Sequence, residues 1–246
     1  APLPTGDHRA LLALGGMHCS SCANLITRGL KKVKGVKEAN VNFAAEKARV
    51  VFDPRQTDVA ALVEAVRKAG YRAELADKAD PEAERARRAA EVRSYKRKFL
   101  IGSALSLPML WFMLLDFFAL PGRAATLPSV GIVSFLLATP VQIALGAGFY
   151  KGMWSSLRMR TFNMDSLIAI GTTAAFAYSA INLAIYAVTK GTVIGIGGKI
   201  PELYFETSAF LITFVLLGKW LESKAKGETS EAVKKLMGLQ AKTARV

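Results

Sequence analysis

Cysteine is scarce in this sequence, because the 246 residues include only two, and both lie within the first 22. A secreted module built on disulfides is therefore excluded. Acidic residues are also few: 19 Asp and Glu stand against 33 Lys and Arg, which gives a formal net charge of +14. A disordered chain is excluded as well, since 52% of the residues are hydrophobic. This combination indicates either nucleic-acid binding or a chain whose charges and apolar segments lie apart.

The charges and the apolar segments do lie apart along the chain. Residues 99–120 contain a single charged side chain, Asp116, and residues 127–150 and 166–189 contain none. A helix needs about 20 apolar residues to cross the hydrocarbon core of a bilayer, so each of these segments is long enough to span it. Residues 202–224 carry charges at their edges, but the need to return the chain across the bilayer favours them as a fourth span.

Basic residues flank these segments on one side. Seven Arg and Lys precede the first segment between residues 85 and 98, and more follow the second and fourth segments. The opposite loops hold only Arg123, Lys190 and Lys199. By the positive-inside rule, this asymmetry predicts an integral membrane protein with both termini in the cytoplasm. The net charge is thus a topology signal, and no basic patch outside these flanks favours nucleic acid as a partner.

The first 76 residues read as a small mixed domain. Strands are predicted at residues 9–14, 36–43, 47–52 and 71–75, and helices at residues 23–34 and 59–70. Thr57 or Asp58 can cap the second helix, which ends at Gly70. The resulting β-α-β-β-α-β order is that of the ferredoxin-like split motif. Residues 77–98 are rich in Ala, Arg and Glu, which predicts a charged helical linker into the first span.

Cys19 and Cys22 form a Cys-x-x-Cys pair at the junction between the first strand and the first helix. The amides and the dipole of a helix N-terminus favour the thiolate, which is the form that binds metals. Two soft thiolates suit Cu(I), which accepts low coordination numbers, whereas a closed zinc site normally needs four ligands. His18 is interpreted as a loop residue. Thiol–disulfide exchange is an equally compatible use of an isolated pair of this kind.

The sequence Gly-Met-x-Cys-x-x-Cys over residues 16–22, with the predicted fold and the turn at residues 69–71, resembles the heavy-metal-binding domain of copper chaperones and copper-transporting ATPases. The resemblance implies that Cys19 and Cys22 bind Cu(I). It also implies that Met17 is a core residue that orders the loop, and that a soluble copper chaperone is the donor of the ion.

Three further segments resemble the third span, the fourth span and the actuator linker of copper-type P-type ATPases. They are Phe162–Gly171 for the third span, Tyr204–Glu206 with Leu216–Glu222 for the fourth, and Lys224–Val246 for the linker. The resemblance implies that Met164 and Glu222 receive the ion at the cytoplasmic face and that Glu206 lies on the exit path. The predicted topology places Met164 and Glu222 at one membrane level. Without the resemblance, Met164 could equally be a methionine that faces lipid, and Glu206 and Glu222 could be acids at the membrane interface. An acid so close to the membrane is costly, however, which favours a functional role.

The C-terminal half of the second span contains Pro140, Gly146 and Gly148, which permit a kink. A basic and aromatic segment suited to the headgroup interface follows. In the resembling family, this kink forms a cytoplasmic platform for a chaperone or for the metal-binding domain. The implied docking platform consists of Gly146, Gly148, Lys151, Arg158 and Arg160. A plain membrane anchor is the alternative. Ala147 separates glycines that are adjacent in many members, so the position of the kink stays open.

Several motifs of a copper-pumping ATPase do not occur in these 246 residues. They are the intramembrane Cys-Pro-Cys, the Asp-Lys-Thr-Gly-Thr phosphorylation motif, the Thr-Gly-Glu loop and any P-loop. ATP and Mg²⁺ are therefore expected only for phosphorylation and nucleotide-binding domains outside this chain, which alone is expected to be inactive. We interpret the chain as the N-terminal part of a Cu(I)-exporting P-type ATPase. The alternatives are a membrane-tethered copper-binding protein or chaperone without ATPase activity, and a membrane-bound dithiol oxidoreductase.

The predicted architecture is a multidomain membrane protein, in which a ferredoxin-like domain precedes a four-helix transmembrane segment. Its parts are the metal-binding domain at residues 8–76, the linker at 77–98, transmembrane helices at about 99–120, 127–150, 165–189 and 202–224, and the start of an actuator domain at 226–246. The expected location is the plasma (inner) membrane. The expected partners are the lipid bilayer and the remaining domains of the ATPase.

Overall fold

A computed structural model describes residues 7–17, 20–76, 81–119, 121–158, 161–196 and 198–238. The chain divides into two compact units. The first consists of the residues up to Pro81 together with Gly146–Gly171, and the second of Glu82–Leu145 together with the residues from Thr172 onward.

The first unit contains a four-stranded antiparallel sheet in the order β2-β3-β1-β4. Its elements are β1 (His8–Gly15), α1 (Ser20–Lys31), β2 (Val36–Asn42), β3 (Lys47–Phe52), α2 (Val59–Lys68) and β4 (Arg72–Leu75). The central strand β1 pairs with β3 through Leu12 and Ala48, and with β4 through Leu12 and Leu75. The predicted β-α-β-β-α-β order of the ferredoxin-like fold is confirmed.

The core of this domain lies between the sheet and its two helices. Because successive side chains of a strand point to opposite faces, β1 buries Ala10, Leu12 and Leu14 and leaves Leu11 exposed. The helical spacing of α1 places apolar side chains, including the fully buried Ile26, on the face that covers the sheet. The alternation in the sequence thus determines which face of the sheet is covered.

The ends of α2 follow from local chemistry. Asp58 caps the helix, since its carboxylate accepts a hydrogen bond from the backbone N–H of Ala61 at 2.8 Å. After the helix, Gly70 has a φ of +90°, a left-handed conformation that glycine adopts without strain. The turn then leads into β4, whose Arg72 lies opposite Gly15, the last residue of β1. The α2–β4 turn and the metal loop after β1 therefore lie at the same end of the sheet.

The remaining elements are helical. They are α3 (Pro81–Phe117), α4 (Arg123–Pro140), a π-helical turn (Val141–Leu145), α5 (Ala147–Arg158), α6 (Met164–Lys190) and α7 (Phe205–Gly238). The helix α5 and the first residues of α6 belong to the first unit. The predicted charged linker and the first span form one continuous helix, α3, with Pro108 inside it.

Among the described residues, three helical segments are long and apolar enough to cross a membrane. They are Arg85–Phe117, Ala124–Leu145 and Met164–Lys190. The segment predicted as a fourth span lies in α7, which carries Glu206, Lys219 and Glu222 along its apolar part and is not one of the three. The membrane character is thus confirmed, whereas the count of four is not reached in the described part of the chain.

Buried polar side chains connect the long helices of the second unit. Gln142 in the π-helical turn donates a hydrogen bond to the Thr172 hydroxyl of α6 at 3.2 Å. The carbonyl oxygen of the same side chain accepts one from the Ser208 hydroxyl of α7 at 2.6 Å. The hydroxyls of Ser106 on α3 and Thr213 on α7 lie 3.2 Å apart. Because a buried polar group without a partner is costly, these pairs hold the helices in register.

Candidate metal-binding and transport residues

The candidate metal site lies where β1 leads into α1. Cys22 is the third residue of α1 and is buried, with 3% of its surface exposed. Its place in the first turn puts the thiol at the N-terminal end of α1. Cys19 and His18 lie outside the described residues. The structure therefore places one of the two predicted ligands.

Met17 precedes the cysteine pair and packs into the core of the domain. Its side chain is 2% exposed and belongs to the same apolar cluster as Leu12 and Cys22. The interpretation of Met17 as a core residue is thus confirmed. Gly16 beside it has a φ of +87°, so the chain turns there in a conformation that favours glycine. A buried anchor and a glycine turn together shape the start of the metal loop.

Met164 is the first residue of α6, and its side chain is 39% exposed. The preceding Asn163 caps the helix, since its side-chain oxygen accepts hydrogen bonds from the N–H of Ser166 at 2.8 Å and from the Ser166 hydroxyl at 2.9 Å. The hydroxyls of Ser166 and of Ser156 on α5 lie 2.6 Å apart and are buried. The start of α6, and Met164 with it, is thereby fastened to α5.

The helices α5 and α6 also approach each other closely at Gly152. A Cβ atom at this position would lie 2.8 Å from the Cβ atom of Asp165, closer than real Cβ contacts. Only glycine therefore allows this packing without displacement. Asn163 could have been recognised from the preference of asparagine for helix N-caps. Gly152 and the serine pair have no comparable signal in the sequence, because their partners are defined by packing.

Glu222 lies in the second unit, whereas Met164 lies in the first. The Glu222 carboxylate forms an ion pair with Lys226 one helical turn later, at 2.8 Å, and both side chains are about one third exposed. Two residues before Glu222, Trp220 stacks on Phe99 of α3, with ring centroids 5.8 Å apart. The aromatic contact fixes this part of α7 against α3, and the ion pair gives Glu222 a cationic partner.

Glu206 lies in the first turn of α7 and lines a small cavity. Asp116, near the end of α3, and Lys199, in the loop between α6 and α7, line it too. The Lys199 ammonium is 4.0 Å from the Asp116 carboxylate. No sequence pattern pairs Asp116 with Lys199, because the contact joins residues far apart along the chain. The other lining residues are Met109, Phe112, Met113, Leu127, Val130 and Ser134.

The predicted docking platform corresponds to α5 and the residues before it. A π-helical turn at Val141–Leu145 and a turn at Gly146 separate α4 from α5. The position of the predicted kink stays a prediction. Gly148 lies within α5 and has open space around it. Lys151 and Arg158 are exposed, and Arg160 lies outside the described residues. The Arg158 guanidinium lies 5.6 Å from the Trp154 ring centroid.

A contact within the first unit joins α5 to the ferredoxin-like domain. The Ser155 hydroxyl on α5 donates a hydrogen bond to the backbone carbonyl of Ala69 at 2.5 Å. A Cβ atom on Gly70 would lie 2.7 Å from the same hydroxyl oxygen. Because the α2–β4 turn lies at the metal-loop end of the sheet, α5 contacts that end of the domain. Nothing in the sequence distinguishes Ser155 from any other serine on an amphipathic helix.

Comparison with known proteins agrees with this geometry. Residues 11–72 match the family model of the heavy-metal-associated domain. The chain is 43% identical over 241 residues to a copper-exporting P-type ATPase of Bacillus subtilis (strain 168), which covers 97% of this chain and 29% of that protein. It is 41% identical over 241 residues to one of Staphylococcus haemolyticus (strain JCSC1435), with the same two coverages.

A solved structure is also similar. It is the N-terminal domain of a potential copper-translocating P-type ATPase from Bacillus subtilis in the Cu(I)-loaded state, with 42% identity over 28% of this chain and 86% of that one and a TM-score of 0.28. The chain spans about 29% of the length of the curated relatives it matches. The matches to the family model and to the curated relatives confirm the resemblance drawn from the motifs. Residues 11–72 form a heavy-metal-associated domain, in a chain that is homologous to the N-terminal part of copper-exporting P-type ATPases.

Proposed function

We propose that this chain binds Cu(I) at Cys19 and Cys22 and takes part in ATP-driven Cu(I) export across a membrane. The observation that carries the proposal is the place of Cys22 in the first turn of α1, beside the buried Met17, in a heavy-metal-associated domain. Two thiolates at a helix N-terminus form a soft site of low coordination number, which suits Cu(I) better than zinc.

The proposed ion path begins at Met164 and Glu222 and ends at Glu206. The Met164 thioether is a soft donor on a helix start that hydrogen bonds hold in place. Glu222 is paired with Lys226, so it exchanges an ammonium partner for the ion when it accepts Cu(I). A mixed set of one thioether and one carboxylate binds Cu(I) weakly enough to pass it on. ATP and Mg²⁺ serve the phosphorylation and nucleotide-binding domains of the whole pump, outside these 246 residues.

The helix α5, with Gly146 before it, is proposed as the docking platform for a soluble copper chaperone or for the metal-binding domain of this chain. Lys151 and Arg158 are exposed and can attract an acidic donor surface. The hydrogen bond from Ser155 to Ala69 supports docking of the chain's own domain through its metal-loop end. The platform thus connects the site that captures the ion to the start of α6, where Met164 lies.

The proposed location is the plasma (inner) membrane, with both termini in the cytoplasm. The basic residues in the N-terminal half of α3 support a cytoplasmic N-terminus. A cytoplasmic C-terminus also requires the predicted fourth span, in addition to the three candidate spans found. Reporter fusions test it: a fluorescent protein fused after residue 246 should fold, and alkaline phosphatase fused in the loop between α6 and α7 should be active. The reverse pattern would contradict the orientation.

The metal site is tested by Cu(I) competition on the 246-residue chain in lipid nanodiscs, with bicinchoninate as the chelator. Cys19→Ser and Cys22→Ser should each abolish high-affinity binding, whereas the matched control Ser21→Ala should retain it. Unchanged Cu(I) affinity in both cysteine variants would contradict the proposal. Turnover of a dithiol substrate without Cu(I) binding would instead support an oxidoreductase.

Export is tested separately with the native gene product in inverted membrane vesicles. ATP-dependent Cu(I) uptake should depend on Met164 and Glu222, so Met164→Leu and Glu222→Gln should slow uptake while Cu(I) binding by the cysteine pair is unchanged. Cu(I) binding without any ATP-dependent uptake would favour a membrane-tethered copper-binding protein instead.

A further inference from the structure

One cavity of the second unit brings together an ammonium group and two carboxylates from separate elements. Asp116 comes from the end of α3, Glu206 from the first turn of α7, and Lys199 from the loop that precedes α7. The three are the charged members of the described residues that line this cavity. The Lys199 ammonium therefore lines the same cavity as the Glu206 carboxylate, which is proposed to lie on the exit path.

The pair formed by Lys199 and Asp116 is more shielded from water than an ordinary surface ion pair. Their side chains are 34% and 32% exposed, and the cavity walls include the buried residues Met109, Leu127 and Val130. Apolar walls lower the local dielectric constant, so charges in the cavity act on one another more strongly than on an open surface. A cation that enters this cavity is repelled by the Lys199 ammonium.

The nitrogen–oxygen distance of 4.0 Å is long for a direct charged hydrogen bond, which has its donor and acceptor about 2.7–2.9 Å apart. The ammonium stands on a flexible four-carbon stem and can reorient between acceptors. Since Glu206 lines the same cavity, the carboxylates there compete for one lysine. The Lys199 ammonium can therefore move away from the carboxylates when another cation binds there, and return to them when that cation leaves.

Thioether side chains in the cavity wall would hold Cu(I), so a competing cation would help to release it. Met109 and Met113 lie four residues apart on α3, which places them on one face of the helix, and both line the cavity. Thioethers and a carboxylate retain a soft cation such as Cu(I). For Cu(I) to leave the membrane at this cavity, some group must lower the affinity of the cavity for the ion.

We propose that Lys199 is a tethered counter-cation that competes with Cu(I) for Glu206 and Asp116 and thereby promotes release of the ion. This inference rests on the proposed role of Glu206 in Cu(I) exit. It involves no covalent step: the ammonium and Cu(I) each carry one positive charge, and one replaces the other beside the carboxylates. Lys199 is thus a residue that tunes affinity and is not a metal ligand.

The test uses the 246-residue chain in lipid nanodiscs with Cys19→Ser and Cys22→Ser, which removes Cu(I) binding by the N-terminal domain. Cu(I) is buffered by bicinchoninate. In this background Lys199→Gln should tighten Cu(I) binding about tenfold, the effect of removing one partly screened charge. Lys199→Arg retains the charge and should leave the affinity unchanged. Adding Glu206→Gln to Lys199→Gln should abolish the gain.

A purely structural role for Lys199 gives a different result. If the lysine only ties the loop to α3, Lys199→Gln lowers the melting temperature and leaves Cu(I) affinity unchanged or weaker, and the proposal is overturned. The absence of Glu206-dependent Cu(I) binding in every variant also overturns it. Neither outcome affects the test of Cys19 and Cys22, so failure of this inference is distinguishable from failure of the proposed metal site.

Discussion

Met17 offers a test of whether the metal loop is ordered by the core of its domain or by direct contact with the ion. Its side chain is 2% exposed within the apolar cluster. Truncation of a buried methionine to alanine costs about 2–5 kcal/mol, so Met17→Ala should lower the free energy of unfolding by about 3 kcal/mol. For a domain of this size, that corresponds to a fall in Tm of about 12–24 °C. Met17→Leu conserves volume and should cost less than about 1.5 kcal/mol.

The assay combines unfolding with metal binding in the intact chain. Urea unfolding of the N-terminal domain is followed by hydrogen exchange of the β1 amides, and Cu(I) affinity by bicinchoninate competition. Leu11→Ala, on the exposed face of the same strand, is the matched control and should cost less than about 1 kcal/mol. Met17→Leu should keep its Cu(I) affinity. If Met17→Leu folds normally but loses Cu(I) binding as Cys22→Ser does, the thioether is a ligand and the packing argument is wrong.

Three further predictions concern single side chains. Asp58→Ala removes the cap of α2 and should destabilise the domain by about 1 kcal/mol in urea unfolding, with Asp58→Asn as the milder control. Gly152→Ala should lower the Tm of the chain in detergent, while Gly148→Ala, with open space around it, should not. The backbone N–H of Arg55 lowers the pKa of Asp53, so this carboxylate stabilises the domain above its ordinary pKa, and the contribution is lost as pH falls through the lowered value. Asp53→Asn should therefore flatten the acid limb of a stability–pH curve; an unchanged limb would contradict this.

The ferredoxin-like domain could be predicted because its determinants are local. Alternation along β1, the capping residue Asp58 and the turn at Gly70 each act within a few positions. The start of α1 was predicted at residue 23 but lies at Ser20, since apolar periodicity marks the buried face of a helix and not its ends. The helix α2 ends at Lys68, two residues before the predicted end at Gly70, and Gly70 forms the left-handed turn that follows.

The membrane residues were less predictable because long-range packing decides their surroundings. Met164 was singled out by a motif, but the hydroxyl pair that fastens its helix joins Ser156 and Ser166 on different helices. The contact between Lys199 and Asp116 spans 83 residues, and no spacing rule connects them. The kink expected from Pro140 and the glycines of the second span stays a prediction, and a π-helical turn begins directly after that proline.

The helix α3 determines how far its first residue stands from the bilayer. It is continuous over 37 residues, so its length is about 55 Å, whereas a hydrocarbon core is about 30 Å thick. Roughly 25 Å of helix therefore extends beyond the hydrocarbon as a stiff spacer. A flexible linker of the same number of residues would have a broad range of end-to-end distances, whereas a helix has a single end-to-end distance. Each helical turn added to or removed from α3 therefore changes the length of the helix by about 5.4 Å.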